Sequence, residues 1–335
     1  MNKFKEILFL KSLKRVGKVS INTKYWNVLN DANDFDDLIE KIKMSFNFSK
    51  DEINKAKQKS ETLYNSIINN KEITIVTVFD EAYPKKLNVM KNKRPLILYI
   101  KGDVNALSKP NIAIIGTRKP SKISEKFEEN LIKTILKSTD KAIVSGLALG
   151  CDKIAHQTTV NENKITIAIL PSGVNVIKPA SNKKLAKDII ESGGCLVSEY
   201  EPDTNVFKGT YVERDHVVAA FSDETFVIQS GIKSGTMHTV NAAKNYKRKI
   251  FTYIPNNNLS KEFYDGNKFI LRTIKESVKI ENPNDFSDYL KEQTNDLNYV
   301  SGNYTKNQFH QNKLNEKQKS YDIKKKHVQT TLNFN

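Results

Sequence analysis

Glycines and hydroxyl side chains follow several short apolar segments of this sequence, and some of these places add a cation. Gly116, Thr117 and Arg118 follow the apolar run IAII, and the stretch SGIKSGTMHT (230–239) follows TFVIQ. Backbone N–H groups beside glycine, hydroxyls and cationic side chains are groups that bind phosphate. The candidate phosphate-binding residues in these places are Gly116, Thr117, Arg118, Ser145, Gly146, Lys233, Ser234, Gly235 and Thr236. Glycine and serine are also ordinary turn and helix-capping residues, so one such loop alone would be uninformative.

Motifs for other chemistries are absent or incomplete. The pattern GxxxxGK[ST] does not occur, and GTRKPS (116–121) does not match GxGxxG, which argues against a nucleoside triphosphatase and a nicotinamide enzyme. Asp152 and His156 have the spacing of a catalytic or metal-binding pair, but we interpret them as a helix-capping acid and a structural histidine. Cys151 and Cys195 are far apart, with no histidine at metal-ligand spacing. We therefore predict no catalytic residue, no metal and no cofactor.

The charge of the chain favours a polyanionic partner. Lys and Arg total 54 against 38 Asp and Glu, so the 335 residues carry a net charge of +16 at pH 7. This excess suits nucleic acid or an anionic membrane surface, although lysine is also a common solubilising surface residue. No apolar run approaches the roughly 18 residues of a membrane span, and the N-terminal apolar stretch is too short for a signal peptide. We expect a cytoplasmic protein with no membrane partner.

The elements that position these residues follow from an alternation of apolar and helical segments. Short β-rich runs lie at 73–78, 96–100, 112–115, 142–145, 166–170, 195–200, 225–230 and 250–254. Helical patterns lie at about 122–138, 152–160, 182–192, 212–221 and 236–246, with a last one at 267–278. Continuous apolar strands separated by helices predict a mostly parallel sheet that is covered on both faces. The predicted fold class is therefore α/β, with a doubly wound, Rossmann-like sheet.

Three regions are predicted along the chain. Residues 1–70 have helical spacing and predict a small helical domain, and residues 71–292 form the Rossmann-like domain. Residues 293–335 are poor in apolar residues and rich in Lys and Asn, which predicts a disordered basic tail. In an open parallel sheet, ligands bind where strands end and helices begin. The candidate phosphate-binding loops are therefore expected to converge at one edge of the sheet.

Six stretches, taken in order, resemble one known family. They are VTVFDEAYPKKL, IAIIGTRKPS, IVSGLALGCDKIAHQ, TIAILPSGVNVIKPASNKKLAKDIIESGGCLVSEYEP, YVERDHVVAAFSDETFVIQSGIKSGTMHT and DGNKFILRTIKESV. They are similar to the DNA-processing protein A (DprA/Smf) family over about 73–292. The resemblance implies a single-stranded DNA-binding protein that acts in DNA recombination and uptake, including natural transformation. It also implies a homodimer that loads the RecA recombinase onto single strands.

The resemblance also implies roles for individual residues. The segment 116–118 matches the family's Gly-Ser-Arg motif, which gives Arg118 a phosphate contact. The segment YVERD (211–215) aligns with the family's Phe-x-x-Arg-Asn, so Tyr211 would stack on a base and Arg214 would be the cation beside it. Single-strand binders that are indifferent to sequence combine such an aromatic ring with cations along the backbone.

Lys208 and Lys233 are further cations for this role, and a core position for Tyr211 is the alternative that the sequence leaves open. The chain also departs from the family, which often has Arg, Asn and Arg in place of Leu149, Asp215 and His216. These changes remove positive charge from the implied pocket, which predicts weaker DNA binding or a different ligand. The winged-helix-like domain that frequently follows in the family is expected to be absent.

A nucleotide-binding sensor or a phosphoribohydrolase-like enzyme on the same fold is the alternative function. The Lonely Guy phosphoribohydrolases carry a Gly-Gly-x-Gly-Thr-x-x-Glu loop with a catalytic carboxylate. Aligning Gly235 and Thr236 with that loop puts Thr239 in place of the glutamate, and Ile232 and Lys233 in place of the first glycines. Hydrolysis therefore lacks its acid, whereas nucleotide binding without turnover stays open.

The C-terminal segment contains a short peptide pattern. Gln329, Leu332 and Phe334 form Q-x-x-L-x-F, which resembles the peptide that docks into the hydrophobic groove of the bacterial sliding clamp. Apolar anchors on a flexible tether are how such peptides bind. The sliding clamp is therefore a predicted partner through residues 329–334.

We expect the double substitution Leu332→Ala/Phe334→Ala to abolish capture of the protein on immobilised sliding clamp, because both apolar anchors are lost. A pull-down measures the captured amount. The variant Thr330→Ala/Asn333→Ala, which keeps the anchors, is the matched control. Equal capture of wild type and the anchor variant would contradict the prediction.

Overall fold

The computed structural model describes residues 3–256 and 261–291. The helices are α1 (Phe4–Ser12), α2 (Lys18–Ile21), α3 (Trp26–Asp31), α4 (Phe35–Ser45), α5 (Lys50–Ile68), α6 (Lys122–Ser138), α7 (Cys151–Asn161), α8 (Lys183–Glu191), α9 (Thr210–Phe221), α10 (Thr236–Asn245) and α11 (Asp265–Thr273). The strands are β1 (Ile73–Thr77), β2 (Ile97–Gly102), β3 (Asn111–Ile115), β4 (Ala142–Ser145), β5 (Thr166–Ile169), β6 (Cys195–Ser198), β7 (Glu224–Val227), β8 (Lys249–Tyr253) and β9 (Val278–Ile280).

These strands form one sheet in the order β1-β2-β6-β5-β4-β3-β7-β8-β9. All neighbours from β6 to β9 are parallel, and β2 joins this part antiparallel to β6, with β1 antiparallel at the edge. After β3 the chain builds β4, β5 and β6 on one side and then returns to add β7 on the other. Ligands of doubly wound sheets bind at such a reversal of strand order. The predicted α/β fold is confirmed.

Apolar side chains form a core on each face of the sheet. Alternate residues of β2 point to opposite faces, so Tyr99 packs with the N-terminal helices while Ile100 packs on the other side. The first core includes Phe9 of α1 and Leu29 of α3, and both side chains are fully buried. The N-terminal helices and the sheet therefore share one core, and Met1–Pro283 is a single compact unit.

Two buried or half-buried ion pairs join the N-terminal helices to the segment after β6. The Lys11 Nζ lies 2.6 Å from Glu201 Oε1, and the Lys18 Nζ lies 2.6 Å from Glu199 Oε2. Burial raises the pKa of Glu199, and the ammonium of Lys18 opposes this shift. Both pairs position the chain that leads from β6 to α9, which carries Tyr211.

One predicted segment differs from the structure. The helix predicted at 267–278 ends at Thr273, and Val278 begins β9 in parallel register with Phe251 of β8. The helical spacing of its apolar residues continues to Ile274, but Ile274 has an extended backbone, and the branched residues beyond it pair with the sheet edge.

The predicted tail, 293–335, and the clamp-binding peptide at 329–334 lie outside the described residues. None of the described helices combines the length and apolar character needed to cross a bilayer.

Asn267 of α11 ties the helix to the ends of β7 and β8. Its buried Nδ2 lies 3.0–3.2 Å from the carbonyl oxygens of Val227, Ile228 and Tyr253, and its Oδ1 accepts from the Ser230 N–H at 2.8 Å. A single side chain thus satisfies four backbone groups. The contact with Ser230 fixes the start of the loop that leads to α10.

We expect Asn267→Leu to lower the free energy of unfolding by at least about 3 kcal/mol, because buried donors and acceptors that lose their partner cost about 1–3 kcal/mol each. Urea denaturation measures the change. Thr273→Ala, at the exposed end of the same helix, is the control and should change stability by no more than about 0.5 kcal/mol. Equal stabilities for the two variants would refute this role of Asn267.

Candidate nucleic-acid interface

The loop after β3 is fixed by backbone contacts to two neighbouring elements. The Thr117 N–H donates to the Gln229 carbonyl oxygen at 2.8 Å, and the Cys151 N–H donates to the Thr117 carbonyl oxygen at 3.1 Å. A Cβ at Gly116 would overlap the Sγ of Cys151, so only glycine fits between β3 and α7. This packing places Arg118 at the carboxyl end of the sheet.

Two further residues hold the same loop. Gly150 has a φ of +70°, and a Cβ there would overlap the backbone of Thr117 and Arg118. The side-chain Oε1 of Gln229 accepts from the Ser121 N–H at 2.9 Å, at the start of α6. Gln229 therefore anchors both ends of the loop 116–121, a role that the sequence analysis did not assign.

Arg214 of α9 is buried at the floor of the site. Its guanidinium lies against Gly146, where a Cβ would overlap Nη1. Nη1 is 3.6 Å from Asp152 Oδ2, and Nε is 3.2 Å from Asp215 Oδ1. The angle of the second contact is unsuitable for a hydrogen bond, so the Nε proton has no acceptor among the described residues. Only 7% of the Arg214 side chain is exposed. The predicted cation is thus present, but two carboxylates offset its positive charge.

Asp152 differs from its predicted role as a helix cap. Its Oδ2 accepts from the N–H groups of Gly146 and Ala148 at 3.2 and 3.3 Å, so it organises the loop after β4 and faces Arg214. His156 is fully buried, with its Nδ1 2.7 Å from Thr166 Oγ1, and burial lowers its pKa to about 3. That environment agrees with a structural histidine.

Asp215 is the titratable group of the floor. Burial raises its pKa to about 6, against the opposing effect of the Arg214 guanidinium. The carboxylate of Asp152 adds to the rise, and the side chains of His238 and Arg118 oppose it. The charge of the site therefore becomes more positive as the pH falls through 6.

Tyr211 lies at the mouth of the site, in the first turn of α9. Its side chain is 37% exposed, and the Arg118 guanidinium carbon is 5.5 Å from the centre of its ring. This distance is that of a cation–π contact. The ring is therefore a surface group beside the predicted phosphate-binding arginine, and the core position left open by the sequence does not apply.

The first turn of α10 offers unpaired backbone donors. The N–H groups of Gly235 and Thr236 make no hydrogen bond within the part of the chain that the structure describes. Ser234 Oγ is 2.7 Å from Ser230 Oγ, which holds the turn to the end of β7. Free N–H groups and the helix dipole together favour an anion at this point.

These groups surround one open pocket of about 660 Å³. The predicted residues that line it are Gly116, Thr117, Arg118, Gly146, Tyr211, Arg214, Ser234, Gly235 and Thr236. The lining contains two arginines and the two carboxylates of Asp152 and Asp215, so the fixed charges of the wall balance. The basic pocket implied by the resemblance is therefore replaced by a floor in which two carboxylates face the single guanidinium of Arg214. The mouth above it carries the cation Arg118 and the free backbone N–H donors.

Three predicted residues lie outside the lining of this pocket. Ser145 is buried, and its Oγ donates to the Ile114 carbonyl oxygen at 2.7 Å, which makes it a link between β4 and β3. Lys208 and Lys233 are exposed, three residues before Tyr211 and directly before Ser234 in the chain. His238, which the sequence analysis missed, lines the wall from the first turn of α10. The sequence signal that could have identified His238 was its position two residues after the candidate phosphate-binding residue Thr236.

Known proteins with similar sequences belong to one family. The family model for DNA recombination-mediator protein A matches residues 74–290, more than half of the chain. The chain belongs to this family. The DNA processing protein DprA of Streptococcus pneumoniae is 31% identical over 175 residues, which cover 52% of this chain and 61% of that protein. The protein Smf of Escherichia coli is 29% identical over 177 residues, 53% of this chain and 47% of Smf. The chain thus spans about half to three fifths of these curated relatives.

Two solved structures of family members have the same fold. DNA processing protein A of Streptococcus pneumoniae superposes with a TM-score of 0.68 at 22% identity, covering 84% of this chain and 96% of that one. DNA processing protein A of Helicobacter pylori gives a TM-score of 0.58 at 30% identity, covering 66% of this chain and 97% of that one. The Helicobacter protein binds single-stranded DNA in a mode described as unique.

The raised pKa of Asp215 predicts a pH-dependent stability. The pKa of Asp215 is about 6 in the folded state and near the ordinary value of 3.8 in the unfolded state. Ionisation in the native site therefore lowers the free energy of unfolding by up to about 3 kcal/mol as the pH rises from about 4 to above 6. We expect Asp215→Asn to remove this cost. Urea unfolding at about pH 4.5 and at about pH 7 measures the free energy of unfolding of both proteins. On going from the lower to the higher pH, this free energy should change in favour of Asp215→Asn relative to wild type. A difference that is the same at both would show that Asp215 does not titrate in this range.

Proposed function

We propose that this protein binds single-stranded DNA in the pocket at the carboxyl end of the sheet and acts as a recombination mediator. The observation that carries the proposal is the meeting of three groups at one mouth. Arg118, the exposed ring of Tyr211 and the free N–H groups of Gly235 and Thr236 all face the same opening. Membership of the recombination-mediator family supports the same reading.

Each group has a separate task in this proposal. Arg118 and the first turn of α10 each hold a phosphate, and the ring of Tyr211 stacks on a base, a contact worth about 1–3 kcal/mol. The hydrogen bonds to Gln229 and Ser230 hold both phosphate sites in place before DNA arrives. A preorganised site loses less entropy when the strand binds.

We propose a binding function without catalysis. Asp152 and Asp215 line the pocket, but both face the buried Arg214 guanidinium and so belong to a structural ion-pair cluster. Thr239 lines the pocket where a phosphoribohydrolase has its catalytic glutamate. Among the described residues, no group of three or more His, Cys, Asp or Glu side chains is arranged to hold a metal ion.

Nucleotide sensing is the second candidate, favoured by the balanced charge of the wall. A lining with balanced charges suits a nucleobase or sugar, and a pocket of about 660 Å³ has the size of a small-molecule site. In this alternative the same mouth would hold the phosphate of a mononucleotide, and no second phosphate would be needed.

The protein partners are also proposals. We infer a RecA-type recombinase and a second copy of this chain from the resemblance to the DNA-processing protein A family, and the sliding clamp from residues 329–334. A mediator that holds single strands at a cationic mouth is suited to hand them to a recombinase, because binding through backbone and stacking is indifferent to sequence.

We expect Arg118→Ala to weaken binding to oligo-dT about fivefold at about 0.1 M salt and to reduce the salt slope by about 0.7, because one phosphate contact is lost. Fluorescence anisotropy over a salt series measures both quantities. Lys55→Ala is the control, since its ammonium pairs with Asp51 within α5.

Unchanged affinity of Arg118→Ala would count against the pocket as the DNA site. A separate experiment heats the wild-type protein with and without AMP. If wild-type protein does not bind oligo-dT but its Tm rises by several degrees with AMP, the nucleotide sensor is supported in place of the DNA binder.

A further inference from the structure

A side pocket of about 170 Å³ adjoins the main pocket at its mouth. The two pockets share four lining residues, which are Arg118, Gly146, Ala148 and Tyr211. The side pocket is completed by Leu149, Lys178 and Pro179, and none of these three lines the main pocket. A ligand that passes Arg118 and Tyr211 therefore has a second compartment directly beside it.

The side pocket combines exposed apolar surface with unpaired charge. Leu149 is 44% exposed and faces this compartment together with the ring of Tyr211. Lys178 is exposed, and its ammonium makes no ion pair or hydrogen bond with residues 3–256 or 261–291. Apolar faces for bases beside unpaired cations for phosphates are what a single-stranded nucleic acid requires.

A second route from the mouth is less suited to a polyanion. A groove of about 750 Å³ between α6 and α7 also begins at Arg118 and Leu149, and it contains Lys119, Lys133 and Lys153. The same groove is lined by three carboxylates, Glu125, Glu129 and Glu162. The ammonium of Lys133 is 3.9 Å from Glu162, so part of its positive charge is already compensated. Carboxylates along a phosphate path are repulsive, which favours the side pocket.

We propose that Lys178 is a nucleic-acid-binding residue and that a single strand held at Arg118 continues over Leu149 and past Lys178. The inference rests on the proposed function and adds the direction in which the strand leaves the main pocket. Lys178 supplies a phosphate contact beside Leu149, where the family often has arginine. Lys178 thus supplies positive charge at this side of the mouth, from the loop that follows β5.

The test compares two exposed lysines on the two routes. We expect Lys178→Ala to weaken binding to fluorescent oligo-dT about fivefold at about 0.1 M salt and to reduce the salt slope by about 0.7. Lys178→Glu should weaken binding further, and Lys178→Arg should bind as wild type does, because Lys178 contributes through its positive charge. Lys153→Ala and Lys153→Glu on the α6–α7 groove are the matched controls, expected to stay within about twofold of wild type.

Three results would overturn the inference, and they separate it from the proposed function. If Arg118→Ala weakens binding while the Lys178 variants match wild type, the strand does not pass Lys178, and single-strand binding itself stands. If Lys153→Glu weakens binding as much as Lys178→Glu does, the strand follows the α6–α7 groove. If neither Arg118→Ala nor any Lys178 variant changes binding, the pocket is not the DNA site and the proposed function fails as well. Melting temperatures of all variants identify any loss of folding.

Discussion

The buried guanidinium of Arg214 is the interaction on which the rest of the site depends. It lies against Gly146, faces Asp152 on α7 and Asp215 on its own helix, and so joins the loop after β4 to two helices. Removing the guanidinium from this cluster would leave buried carboxylates uncompensated, which typically costs about 3–5 kcal/mol. Glycine is required at position 146 because it makes room for the guanidinium, and Asp152 faces that charge from α7.

This cluster divides the site into a paired floor and an unpaired mouth. The buried guanidinium is paired with carboxylates, while Arg118, Lys178 and the N–H groups at the start of α10 are left to meet a ligand. The proposed function therefore places the phosphates at the rim, where water remains close and the cost of desolvation is small. Asp215 adds a pH dependence, because its pKa of about 6 lets the floor gain positive charge in mild acid.

The parallel sheet, and with it the convergence of the loops, was predictable from the sequence. Short apolar runs such as 112–115 and 142–145 are too short for helices, and the helical patterns between them require crossover connections between parallel strands. The carboxyl ends of those strands necessarily meet at one edge, so Gly116 and the turn at 234–236 were expected near each other. The end of α11 was not predictable in this way, because the apolar spacing up to Ile274 suits a helix and only the open edge of β8 draws Val278 into the sheet.

The sequence by itself determined the fold class, the family and the residue types at the strand ends, because periodicity, glycine positions and motif order are local properties. Only the tertiary structure decided which cations are available. Arg214 is neutralised by carboxylates from α7 and α9, whereas Lys178, from a loop without any phosphate motif, stands unpaired beside Arg118. Pairing and burial depend on contacts between segments that are distant in sequence, and the charge that a ligand meets is therefore a property of the folded chain.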